Sequence, residues 1–285
     1  MLIRVGYEIS YSCAQPVPML LCLSLHDARR QDVVASRELA VSPDLPMAHY
    51  RDIFGNTCTR VTAPIGVMTL TADAVVLDSG APDPVVPRAP GTAVENLPAS
   101  TMAFLLGSRY CETDLLVGMA WDLFGGTVPG WPRVQAICDY VHGTIEFGYH
   151  HARSTKGAAD ALREGQGVCR DFAHAAIALC RCMNIPARYC TGYLGDIGVR
   201  SSGAPMDFSA WFEAWIDGRW YTFDARHNVP RIGRVLMARG RDASDAAISN
   251  SFGPNELTGF KVWTFEVAHE RLEDEDLQAL PAPMI

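Results

Sequence analysis

The segment Gly165-Gln166-Gly167-Val168-Cys169-Arg170-Asp171-Phe172-Ala173-His174 puts a thiol where a helix is expected to begin. Two glycines free the backbone to turn tightly ahead of it. A thiol at a helix N-terminus faces unpaired N–H groups and the positive end of the macrodipole. Both favour the thiolate, the form that attacks an acyl carbon. The same N–H groups can hold a developing oxyanion, with the Gln166 side-chain amide as an extra donor. Cys169 is therefore the candidate nucleophile, and its competing reading is an inert thiol packed like a small apolar residue. His174 stands five residues on, nearly half a turn off the face of Cys169, which suits a packing histidine better than a base. A metal site drawn from Cys169, His174 and the His150-His151 pair has no ligand spacing behind it.

The elements that position this cysteine follow from periodicity. The helix starting near Cys169 is expected to run to about Met183 and to end before Asn184-Ile185-Pro186. Two helices precede it. One spans Thr113 to Phe124, with Thr113 as N-cap and Leu115, Leu116, Met119 and Leu123 at helical spacing. The other opens at Pro132 and has Val134, Ile137, Cys138, Val141 and Ile145 on one face. Strands are expected at 187–194, 208–216 and 219–225. Helices followed by strands indicate an α+β domain rather than a βαβ sheet.

The first 80 residues read differently. From Ile3 to Tyr11 every odd position is apolar, the period of a half-buried strand, and short strands separated by turn clusters follow to Asp78. A small β-sandwich over residues 1–80 is the expectation. Residues 81–98 are proline-rich and extended, and residues 99–285 form the second unit, with 257–267 returning as a strand.

Composition narrows the function classes. The chain has 285 residues, 48% apolar and 20% charged, with a net charge of −8, which argues against a dedicated nucleic-acid or anionic-membrane binder. Nine cysteines at irregular spacing, with no C-x-x-C pair, suggest neither a disulfide framework nor a zinc knuckle. Free thiols, with neither a long apolar leader nor an 18-residue apolar run, give a cytoplasmic protein outside the membrane as the expectation.

Two ordered blocks carry a resemblance. GVCRDFAHAAIALCRCMNIPARYCTGYL, from Gly167, and FSAWFEAWIDGRWYTFDARHN, Phe208 to Asn228, resemble the bacterial transglutaminase-like family. Asp52-Ile53-Phe54-Gly55-Asn56 is similar to the β-rich N-terminal region that accompanies it. The resemblance implies a papain-like transglutaminase core, helices packed on an antiparallel sheet, behind an N-terminal β-sandwich. It implies a Cys-His-Asp triad for acyl transfer, with Cys169 as nucleophile and Asp224 as the acid, and it calls for no metal or other cofactor. Trp211 and Gln166 are its candidates for oxyanion or substrate contact. The substrate class would be a protein or peptide.

The family's histidine position is occupied by Ser209, which cannot accept a proton at neutral pH. If Asp217-Gly218 is a two-residue turn, paired positions sum to 435, so Ser209 opposes Arg226 and Trp211 opposes Asp224 on one face. Asp224 then lies diagonally beside position 209. His227 is the nearest substitute base, but parity sends it to the other face unless a bulge or turn after Asp224 re-aims it. His174, His150 and His151 are more remote. Arg188, Arg231, Arg234, Arg239 and Arg241 read either as anchors for a carboxylate or as salt-bridged interdomain contacts. Cysteine-dependent acyl transfer or hydrolysis on amide bonds, of protease, deamidase or transglutaminase type, is the expected activity. The alternative is a catalytically impaired domain kept as a binding or scaffold module.

Overall fold

The computed structural model describes residues 1–200, 203 and 205–268. The first 77 residues form six strands: β1 (Leu2–Cys13), β2 (Val17–Leu21), β3 (Val33–Ser42), β4 (Ala48–Arg51), β5 (Thr57–Ala63) and β6 (Gly66–Leu77). Next come α1 (Thr113–Phe124), α2 (Trp131–Thr144), β7 (Glu146–Phe147), α3 (Ala158–Glu164), β8 (Gln166–Gly167) and α4 (Cys169–Cys182). Strands β9 (Ala187–Tyr193), β10 (Ser209–Ile216), β11 (Arg219–Phe223), β12 (Val235–Gly240), β13 (Ser249–Ser251) and β14 (Glu256–Val267) complete the order.

The alternation at the N-terminus is what β1 uses. Ile3, Val5, Tyr7, Ile9 and Tyr11 enter one apolar core with Met19, Val61 and Met68 from neighbouring strands. Two four-stranded sheets enclose that core, ordered β14-β1-β6-β3 and β13-β2-β5-β4. The returning strand therefore sits elsewhere than expected: β14 pairs antiparallel along β1 and β13 along β2, so these two strands close the sandwich and not the second unit. Unpaired, β1 would expose a long hydrogen-bonding edge. The fit depends on Gly6, where an added Cβ would meet the Trp263 ring at 2.3 Å. Trp263 Nε1 donates to Asp73 Oδ1 at 3.1 Å, and Asp73 is in turn ion-paired with the buried Arg4.

In the second unit, β11-β10-β9-β12 form an antiparallel sheet. Helix α4 lies across one face, in a core shared by Ile177 and Leu179 with Phe212, Ala214 and Ile216. From Asp171 to Cys182 every α4 residue is buried, as an enclosed helix requires. Around it, α2 presents Val134, Ile137, Cys138 and Val141 as expected. On α1 the inward stripe is Leu116, Ala120 and Phe124, while Leu115 and Leu123 are exposed. Thr113 is the first helical residue rather than its cap, and Glu112 holds the N-cap position.

Two polar clamps dock the units. In the turn between β4 and β5, Asp52 Oδ1 accepts the Phe54 and Asn56 N–H groups, which holds the Asn56 side chain against β12. There Asn56 Nδ2 donates to the Arg239 carbonyl at 2.7 Å and Asn56 Oδ1 accepts the Arg239 N–H at 2.8 Å. In the connector, Asp83 accepts the Arg231 N–H at 2.9 Å and the Arg234 Nε–H at 2.9 Å. Gly6→Ala is expected to destabilise the protein by about 1–3 kcal/mol through overpacking against Trp263. Urea unfolding checks it, and an unchanged midpoint would refute the close packing of β14 on β1.

Candidate active site

The start of α4 is built by three local devices. Gly165, at φ +65, ends α3 in the left-handed conformation and gives its N–H to the Ala161 carbonyl. Gln166 and Gly167 then pair in parallel with Glu146 and Phe147, fixing the direction of entry. The buried Asp171 side chain folds back to accept the Val168 N–H at 2.9 Å, while the Asp171 N–H bonds the Val168 carbonyl at 2.8 Å. A Cβ on Gly167 would lie 2.8 Å from that of Asp171, so residue 167 leaves room for the cap. Cys169 thus becomes the first helical residue, and the residue is half-buried. The N–H groups of Cys169 and Arg170 precede any intrahelical acceptor.

The hairpin follows the expected register from Phe212↔Phe223 to Ile216↔Arg219, around an Asp217-Gly218 turn with φ of +49 and +78. The ladder stops at Phe223. Beyond it the chain turns about Asp224, whose Oδ1 accepts the N–H groups of Arg226 and His227, both at 3.0 Å. That turn re-aims His227, which parity alone would have sent to the opposite face. Its Nδ1 lies 2.8 Å from Asp224 Oδ2, an oxygen that also accepts Arg234 Nη2–H at 3.0 Å. Burial disfavours the Asp224 carboxylate, but the Arg234 charge and the His227 bonds outweigh it and hold the group well below the usual carboxylate range.

Around the sulfur the balance has the opposite sign. Burial pushes the Cys169 thiol up to about 11; the Arg226 charge opposes this, and Asp207 and Asp224 reinforce it. The Ala210 backbone N–H is turned toward the sulfur and favours its ionised form. Arg226 is clamped over the Phe147 ring at 3.6 Å, and its carbonyl lies 3.0 Å from His142 Nδ1. The Asp207 carboxyl is raised by burial, eased by the Phe208 N–H and Arg226. Among the described residues no imidazole makes a hydrogen bond to Cys169.

The other predicted residues are placed as follows. Ser209 opens β10 opposite Gly192, buried, and its Oγ has no partner among the described residues. Trp211 lies on the sheet face away from α4, packed with Cys190 and Leu236 under the Arg234 guanidinium at 5.1 Å. That location puts it against Arg234 rather than at the nucleophile. Gln166 is exposed, and its carbonyl accepts Lys156 Nζ–H at 2.8 Å. His174 is a core residue: Nε2 accepts the Ala243 N–H at 3.1 Å, its ring stacks on Tyr110, and burial lowers its pKa to about 3. The His150-His151 rings sit 3.8 Å apart on a surface turn. Sequence reasoning missed Arg226 and Asp207. Arg226 opposes Ser209 in the register sum of 435, a signal available for reading it as a cation at the site.

Comparison with known proteins agrees with this architecture. The transglutaminase-like superfamily profile, Transglut_core, matches residues 123–225. An uncharacterized protein of Mycobacterium leprae (strain TN) is 27% identical over 239 residues, spanning 76% of this chain and 80% of its own. An uncharacterized protein of Mycobacterium bovis is 29% identical over 254 residues, spanning 78% and 77%. The solved "Putative Cysteine Protease from Cytophaga hutchinsonii" is 31% identical, with a TM-score of 0.81 over 93% of this chain and 90% of that one. With the sheet, the buried α4 and the helix-start cysteine all in their places, the chain belongs to the transglutaminase-like superfamily.

Proposed function

We propose that the protein carries out cysteine-dependent acyl transfer or hydrolysis on protein or peptide amide bonds, with Cys169 as nucleophile. The observation that carries this reading is the position of the cysteine, at the first residue of α4 and within the field of Arg226. In the reaction the thiol gives up its proton and the sulfur attacks the amide carbonyl carbon. The oxyanion takes hydrogen bonds from the unpaired N–H groups of the helix start, and the amine leaves with a proton. Water then cleaves the thioester to an acid, or an amine takes the acyl group to form a new amide. The His227–Asp224 couple is the candidate proton carrier, its imidazole oriented by a buried carboxylate.

A specific observation favours a second reading. Ser209 stands at the family's histidine position with a buried hydroxyl that has no partner among the described residues, and the Cys169 thiol is pushed up to about 11. A domain with that deficit would bind its target without turning it over.

Iodoacetamide labelling of Cys169 in the native protein should rise steeply between about pH 9 and 11, following the raised thiol. In Ser209→His an imidazolium beside the sulfur should lower the thiol pKa by about two. The gain in thiolate is partly offset by lower nucleophilicity, so labelling at neutral pH should rise roughly ten-fold. Hydrolysis of a glutaminyl peptide above the Cys169→Ala background would support the enzyme. Wild-type turnover equal to that background, with turnover gained in Ser209→His, would leave the binding reading standing.

Asp224 also sets an acid limit. Its folded-state pKa is depressed, so its stabilisation is present above the unfolded value of about 4 and is lost as pH falls below it. Thermal unfolding of Asp224→Asn should show a smaller loss than wild type between about pH 5 and pH 3. Parallel curves would contradict the assignment.

A further inference from the structure

On the sheet face away from α4 lies a cavity of about 320 Å³, walled by Arg29 and Asp78 of the sandwich, Asp83 of the connector, and Trp211, Arg234 and Arg239 of the core. Its guanidinium groups are paired with carboxylates, Arg231 with Asp196 only at 4.0 Å, but two of their buried N–H groups are left without an acceptor among the described residues. Arg234 gives Nε to Asp83 and Nη2 to Asp224, and its buried Nη1 has no acceptor among the described residues. Arg231, on the same wall, gives Nη2 to the Gly195 carbonyl at 2.8 Å, and its buried Nε likewise has none. Arg239 and Arg188 lean on a single carboxylate, Glu213, at 3.3 and 2.5 Å. The side chains of Arg231 and Arg234 are only 4% and 7% exposed.

A buried N–H without an acceptor is unusual, and a guanidinium cannot lose its proton to relieve the cost. Lysine in these places would offer a point charge; arginine offers a planar fork that matches two oxygens of one anion. We infer that this cavity binds a small oxyanion, a carboxylate or a phosphate, whose oxygens accept from Arg231, Arg234 and Arg239. Arg234 also holds Asp224, so a bound anion braces the carboxylate that orients His227. The site is separate from Cys169 and does not depend on acyl transfer.

The test uses the full chain as Cys169→Ala, so that binding is read without turnover. Thermal unfolding is followed during titration with sodium phosphate or sodium acetate, with ionic strength held constant by sodium chloride. A saturable rise in Tm with one of the two anions, absent with chloride, is expected, and the anion that acts decides between phosphate and carboxylate. Arg239→Gln, at a partly exposed position, should weaken the half-saturation concentration roughly ten-fold, as loss of a charge-assisted contact does. Equal response to chloride, or an unchanged half-saturation in Arg239→Gln, would overturn the inference. Should that variant fail to fold, calorimetric titration of phosphate and acetate into the parent protein decides, and no heat of binding from either rejects the site.

Discussion

An ionised carboxylate stays buried only where donors replace the water it has lost, and Asp224 meets that condition with four of them. Two are backbone N–H groups of the turn after β11, one is the His227 imidazole, and one is the Arg234 guanidinium. Satisfying this one charge therefore fixes the turn, aims the imidazole and locates Arg234. Arg234 reaches in turn to Asp83, so the connector is drawn onto the same point. The outer face of the hairpin, the loop before β12 and the approach from the sandwich all depend on it.

Burial acts on the sulfur and on the Asp224 carboxylate with different outcomes. Desolvation favours the neutral form of both. Asp224 has a cation in direct contact and several donors, which is enough to reverse the sign. Cys169 has one cation, Arg226, against two carboxylates, Asp207 and Asp224, and desolvation prevails. A helix start alone does not make a thiolate. The local count of charges decides, and an imidazole in contact with the sulfur is what would change that count.

Much of this was legible in the chain itself because it is encoded locally. The period of β1, the stop and restart around Gly165-Gln166-Gly167, and the hairpin register set by Asp217-Gly218 all depend on neighbours in sequence. The inward face of α1 was not given by its leucines at helical spacing, which do not tell which stripe is buried; Leu116, Ala120 and Phe124 form it. The pairing of β14 with β1 joins residues more than 240 positions apart, and its determinant is the match of Gly6 to Trp263 across the sheet. His227 was open for a similar reason. Strand parity is a rule about ladders, and the ladder had already ended at Phe223 when side-chain capping by Asp224 took over.

The consequence for position 209 follows from where the supports lie. The α4 side of the sheet is held by Phe212, Ala214 and Ile216 against the helix, and the outer side by Trp211 with Leu236 and Cys190. Beyond them, Asn56 and Asp83 bind the sandwich and the connector to the core. None of these contacts passes through the side chain of residue 209, whose hydroxyl has no partner among the described residues. The strand, the turn and the helix start are therefore supported without it. The framework of the site is thus set by packing and by Asp224, and it can persist whatever side chain position 209 carries.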